Sequence, residues 1–241
     1  MKPRIFLIFL MLCGLSLGAA EPADADKIQK ILKGAPATWV FTGDSITHSA
    51  QHTNGWRGFP EIFSERLRWE LRRTQDMVIN SAISGNKIAD INAAYDWRVK
   101  RFQPAVVVLM IGMNDCGAGE AKADAFARDL SALVKRFHGD GAAVVLQTSN
   151  PIDPARAGAR KAVYAYNEKL RGVAAAEGCV LVDNEARWKG EAPEGKGHLA
   201  YLNDAIHPNQ LGHRLIAQEI FKTLKLYDAK SPSCQLALPR K

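Results

Sequence analysis

The 241-residue chain is short of the features that staple, repeat or anchor a fold. It has four cysteines, and one, Cys13, falls in an N-terminal apolar stretch. The other three, Cys116, Cys179 and Cys234, are an odd number. At least one thiol therefore stays free, and an oxidising compartment can make one disulfide at most from them. No pair has metal-ligand spacing, so a disulfide scaffold and a cysteine-held zinc module are both excluded. The longest apolar run, Ile5 to Leu17, is short of the ~18 residues that mark a membrane-spanning helix. There is no internal repeat and no low-complexity linker, which argues against a solenoid or a string of domains. The formal charge is +7, yet no basic stripe is interleaved with aromatics. Arg66, Arg68, Arg72 and Arg73 read as solvated helix faces, and no nucleic-acid partner is expected.

What is present begins with a leader pattern. Lys2 and Arg4 precede the apolar run, and Gly18-Ala19-Ala20 supplies small residues before Glu21. This is the layout of a secretory signal peptide. Residues 1–20 are expected to be removed, leaving a secreted or periplasmic protein with no stable membrane insertion; an uncleaved anchor is the competing reading. Loss of Lys2 and Arg4 takes the formal charge from +7 to +5. Residues 21–241 suit one domain, with a core over about 37–227. The tail, 228–241, carries Pro232, Pro239 and a basic end, and is expected to be loosely ordered.

Short apolar runs alternate with longer amphipathic stretches. Strands are expected at Trp39–Thr42, Met77–Asn80, Ala105–Ile111, Ala143–Gln147 and Cys179–Val182. Helices are expected at 60–73, 88–102, 121–137, 160–176 and 209–226, after a polar helical lead-in over 21–34. The run at Ala105–Ile111 is apolar on both faces, as in the middle of a parallel sheet. Strands and helices in strict alternation imply an α/β fold, a five-stranded parallel sheet in a three-layer α/β/α sandwich. The polar, glycine-containing stretch 185–198 reads as a surface loop.

Ligands of open parallel sheets bind at the carboxyl ends of the strands. Polar clusters fall there: Gly43-Asp44-Ser45-Ile46-Thr47, Ser84-Gly85-Asn86 and Gly112-Met113-Asn114-Asp115. A fourth, Asp204-Ala205-Ile206-His207-Pro208-Asn209, precedes the last helix. Ser45 follows a strand, so its hydroxyl can project from the sheet edge. A serine hydroxyl is a weak nucleophile until a base takes its proton, and His207 can do so near neutral pH. Asp204, three residues before it, can reach the other imidazole nitrogen and fix the tautomer.

These clusters, in this order, resemble the conserved blocks of the SGNH hydrolases, or GDSL-like lipase/acylhydrolase family, over nearly all of the mature chain. The resemblance implies a flavodoxin-like SGNH fold and a carboxylic ester hydrolase with Ser45, Asp204 and His207 as catalytic residues. It assigns the oxyanion to the Ser45 amide, the Gly85 amide and the Asn114 side chain. No metal or organic cofactor is needed for such acyl transfer. Each residue also has an ordinary structural reading. Ser45, Asn114 and Asp204 suit helix caps, Gly85 suits a turn, and His207 suits a helix start. Asp44 and Asp115 are not assigned to catalysis.

His48 and His52 are four apart, but the segment between them gives no clear helix and no carboxylate completes a set; a loop near the site is the preferred reading. His198 is expected to be exposed, and Cys116 to be structural. The rims expected at 49–58 and 185–203 are polar, with no large apolar lid. Trp56, Trp188 and Tyr201 suit either sugar stacking or packing. The expected substrate is a small-molecule or glycan ester with a short, acetyl-sized acyl group. An inactive carbohydrate-binding protein on the same scaffold, or an acyltransferase using the same residues, are the alternatives.

Overall fold

The computed structural model describes residues 22–190 and 197–237. The expected leader at 1–20, part of the 185–198 stretch and the last four residues lie outside the described residues.

Five strands form one parallel sheet: β1 (Thr38–Gly43), β2 (Met77–Asn80), β3 (Val106–Met110), β4 (Ala143–Gln147) and β5 (Val180–Val182), in the order β2-β1-β3-β4-β5. β3 and β4 are buried throughout, as residues apolar on both faces require. Burying one such side chain contributes about 1.5–3 kcal/mol, so these central strands hold much of the driving force. The sheet is flanked by helices, as the alternating pattern requires. The helices α4 (Ile88–Ala93), α6 (Ala123–Gly139) and α7 (Val163–Glu177) pack on one another, and so do α3 (Phe59–Ser64), α8 (Asn184–Lys189) and α9 (Gln210–Thr223). The chain leaves β1 toward β2 on one side and resumes at β3 on the other, so the strand order reverses between β1 and β3, where such sheets bind ligands.

Several expectations are corrected. The helix expected over 60–73 is α3 followed by a wide π turn, Glu65–Glu70. The wider turn lets adjacent Arg66 and Leu67 both face inward. Arg66 is therefore no solvated face: its guanidinium holds the Leu226 carbonyl at 2.8 and 3.0 Å and Glu70 at 3.0 Å. Arg73 is likewise engaged, by Asp76 and the carbonyls of Leu32, Gly34 and Ala35.

The helix expected over 88–102 is broken into α4, α5 (Tyr95–Arg98) and a 3-10 turn, Lys100–Phe102. The backbone leaves helical geometry at Ala94 (φ −101°, ψ 18°) and Val99 (φ −128°, ψ −64°), and Arg98 between them is drawn into the protein (3 % exposed), where it donates to the Ser81 carbonyl. The surface loop expected from 185 begins instead as α8, capped by Asp183 and pinned by fully buried Trp188. The described part of the tail, up to residue 237, is more ordered than expected: a turn at Pro232–Cys234 buries Cys234, whose carbonyl accepts from Gln218 Nε2 at 2.6 Å. Cys116, Cys179 and Cys234 are all buried and free. Among the described residues, no helix is long and apolar enough to cross a membrane.

Candidate active site

The site starts with a glycine. β1 ends at Gly43, whose φ of +152° and close packing exclude a side chain: a Cβ there would lie 2.2 Å from the Met110 carbonyl oxygen. This tight passage turns the chain at once into a short helix, α2 (Ser45–His48). Asp44 caps it, its Oδ1 accepting from the Ile46 amide at 2.9 Å. Ser45 thus stands at the first helical position on the carboxyl edge of the sheet.

Ser45 Oγ lies 2.8 Å from His207 Nε2, and His207 Nδ1 lies 2.7 Å from Asp204 Oδ2. An ionised carboxylate only accepts, so Nδ1 carries the proton and Nε2 presents its lone pair to the serine hydroxyl. Asp204 Oδ1 accepts from the amides of Ile206 and His207 at 2.9 and 2.8 Å. Burial works to raise the Asp204 pKa, but these amides and the imidazole outweigh it and hold it below the usual carboxylate value. The alternative role of Asp204 as cap of the last helix falls to Asn209, whose Oδ1 accepts from Leu211 and Gly212.

Gly85 follows β2 and Asn114 follows β3, the two strands that flank β1. Gly85 has φ +85°, a conformation that favours glycine. Asn114 is 8 % exposed. Its Oδ1 accepts from Arg160 Nη2 at 3.0 Å, and its Nδ2 donates to the Asn86 carbonyl at 3.1 Å. A guanidinium can only donate, so Arg160 determines which end of the amide is oxygen. One Nδ2 proton then remains for another acceptor. Ser45 opens its helix, where amides lack a helical partner, and among the described residues no bond is made by the Ser45 or the Gly85 amide. Gly85, Asn114, Lys87, Gly117, Ala118 and Arg160 line a cleft of about 330 Å³.

Arg98 and Arg160 escaped sequence reasoning. Arg98 holds the loop beneath Gly85: it donates to Asn86 Oδ1, to the Ser81 carbonyl at 2.9 and 3.1 Å, and to the Gly43 carbonyl at 3.3 Å. A signal existed, since Arg98 lies between the inward residues Tyr95 and Val99. Arg160 lies in a 3-10 turn ahead of α7 and left no sequence signal.

The neighbours are structural. Burial pushes the Asp44 carboxyl up to about 7, and raises Asp115 as well. Asp115 Oδ1 accepts from the Ile88 amide at 3.0 Å, at the start of α4. Burial lifts the Cys116 thiol to about 11, which removes the thiolate a nucleophile needs. His213 is buried, accepts from the Phe59 amide at 3.3 Å, and is pushed by burial down to about 3. His198, expected to be exposed, is half-buried, its Nε2 2.9 Å from the Ile152 carbonyl. Trp188 and Tyr201 are buried against each other, centroids 5.5 Å apart, and so are withdrawn from any sugar; Trp56 stays half-buried.

His48 and His52 diverge: His48 Nδ1 meets Ser84 Oγ at 3.0 Å, whereas the His52 ring stacks on His207. His52, Asp204 and His207 do bring donor atoms close enough to suggest a metal. The two rings, however, are parallel to within 4° and 3.5 Å apart. Imidazole lone pairs lie in the ring plane, so these two cannot converge on one ion at the usual bond length. The donor set does not fit a metal in this arrangement.

A serine, a histidine and a carboxylate in line, opposite amide donors on an α/β sheet edge, is the layout of an acyl-transfer enzyme. The GDSL-like lipase/acylhydrolase family model matches residues 41–215. The chain belongs to this family, and with it to the carboxylic ester hydrolases. An uncharacterised protein of Mycoplasma pneumoniae is 29 % identical over 143 residues, covering 57 % of this chain; the chain spans 16 % of the length of that relative. An acetylxylan esterase of Geobacillus stearothermophilus is 24 % identical over 213 residues, covering 79 % of this chain and 95 % of that protein. The crystal structure of an α/β hydrolase enzyme from the metagenome of Lake Arreo, Spain, has a TM-score of 0.70 at 24 % identity, covering 83 % and 100 % of the two chains. That likeness shows the fold.

Proposed function

We propose that this protein is a serine esterase that removes short acyl groups, acetyl above all, from carbohydrates. The observation that carries the reading is the unbroken line from Ser45 Oγ through His207 to Asp204, at 2.8 and 2.7 Å. Ser45 Oγ attacks the ester carbonyl while its proton passes to His207 Nε2. The tetrahedral oxyanion takes hydrogen bonds from the Ser45 and Gly85 amides and Asn114 Nδ2. Its collapse breaks the bond to the alcohol, which leaves with the proton from His207. Water then attacks the acyl-enzyme by the same proton path and releases the acid. Asp204 holds the tautomer and offsets the imidazolium charge. Removing one oxyanion donor typically costs about 2.7–4 kcal/mol of transition-state stabilisation.

A small acyl group is supported by the lining of the cleft beside Gly85 and Asn114, which includes Lys87 and Arg160 and no large apolar side chain. A carbohydrate is supported by the similarity to an acetylxylan esterase. Export to a secreted or periplasmic setting rests on the leader pattern of residues 1–20. The test is turnover of acetyl against longer acyl esters, with acetate release from acetylated glycans. Acetyl esters are expected to be hydrolysed fastest. A preference for acyl chains of ten or more carbons would overturn the substrate reading.

A further inference from the structure

An imidazole held at one nitrogen by a carboxylate can still rock about that bond, and its two faces are the places to restrain it. One face of His207 is covered by His52. The ring centroids are 3.5 Å apart and the planes lie within 4° of parallel. His52 Nδ1 is 3.9 Å from Asp204 Oδ2, too far for a direct hydrogen bond, so the contact with the 204–207 turn is mainly face to face.

The loop that presents His52 grows from the same short helix that presents Ser45. The Ser49 amide donates to the Ser45 carbonyl at 2.9 Å, and the His52 amide to the Ser49 carbonyl at 2.9 Å. Ser49 has φ +63° and is buried. Its Oγ sits 2.0 Å from where a Cβ of Gly58 would be, so only glycine at 58 lets the loop close. Thr53 Oγ1 bonds the Trp56 carbonyl at 2.5 Å. One continuous segment therefore sets both the hydroxyl below the imidazole edge and the ring on its face.

We propose that His52 is a positioning residue for the acyl transfer. Its uncharged ring seats His207 against Ser45 and supports, through its π face, the imidazolium that His207 becomes. This rests on the reading of His207 as the general base. The groups that face or influence His52 are His207 and Asp204 from the 204–207 turn, His48 from α2 and His213 from α9. Burial first, and then His207, hold His52 below the ordinary histidine value, so the ring is neutral where the enzyme would work. A cation over an aromatic face is stabilised, whereas a second cation stacked there would oppose it.

The test compares His52→Ala, His52→Leu and His52→Phe on a small acetyl ester, with Ser45→Ala and His207→Ala alongside and a thermal melt for each. His52→Ala is expected to lower kcat about tenfold with KM within twofold of wild type. His52→Phe keeps the face and is expected to stay within threefold of wild type. His52→Leu, which fills the space without a π face, is expected to fall at least threefold below Phe, and decides the matter if the alanine variant does not fold. Equal kcat in all three His52 variants, or a loss confined to KM, would overturn the proposal. If Ser45→Ala and His207→Ala abolish turnover in that case, the triad reading stands without it. If those two remain active, the triad reading itself fails.

Discussion

Replacing Arg160 with Met tests how the oxyanion donors are oriented. Asn114 has two contacts that hold its amide plane: Oδ1 accepts from Arg160 Nη2 at 3.0 Å and Nδ2 donates to the Asn86 carbonyl at 3.1 Å. The Arg160 bond is charge-assisted, and such bonds contribute about 1.5–3 kcal/mol. Part of this survives its loss, because the Asn86 carbonyl still selects the Nδ2 end. Partial transmission to the transition state predicts a fall in kcat of roughly 10- to 30-fold, up to about 2 kcal/mol. Asn114→Ala removes the donor itself and should cost about 10² to 10³ in kcat. Because Arg160 acts through Asn114, the double variant should be no slower than Asn114→Ala alone, a coupling that a double-mutant cycle reads directly. The assay is steady-state hydrolysis of a small acetyl ester, with urea unfolding as control, since Arg160 also offsets charge on Asp44. Losses that simply add in the double variant would refute the reasoning.

Asp204→Asn keeps the shape but lets Nδ1 accept instead of donate; kcat is expected to drop by on the order of 10³ to 10⁴, and a loss under tenfold would show that Asp204 only shapes the turn. Asp44 titrates at about 7 in the folded protein, against an ordinary value of 3.8 for the unfolded chain, so folding favours its protonated form. Its contribution is whole below pH 3.8 and is lost as pH rises to about 7, an interval worth up to about 4 kcal/mol. Asp44→Asn should therefore gain stability relative to wild type between pH 4 and 7.5 in urea unfolding; a flat difference would contradict this.

Much of this arrangement was legible because strand residues advertise themselves. Val106–Met110 and Ala143–Leu146 are apolar on both faces, as in the middle of a parallel sheet. With the strands placed, the polar clusters fell on one edge, and the structure brings Ser45, Gly85, Asn114, Asp204 and His207 to it. Single buried polar residues were misread, because periodicity counts apolar positions. Arg98 turns inward among them, in a segment that the stripe of Ile88, Ile91, Tyr95 and Val99 predicts as one helix and that the structure interrupts at Ala94 and Val99. Trp188 anchors a stretch whose composition reads as loop. Arg160 reaches Asn114 across 46 positions, and His52 meets His207 ring to ring across the loop at 49–58. No local pattern records contacts of that kind.

The central claim is that Ser45, activated by His207, is the nucleophile. A serine-directed fluorophosphonate, followed by peptide mapping, tests it most directly. The account predicts one covalent adduct on Ser45, absent in Ser45→Ala and strongly slowed in His207→Ala. An adduct on another residue, or labelling that persists at full rate in Ser45→Ala, would contradict it.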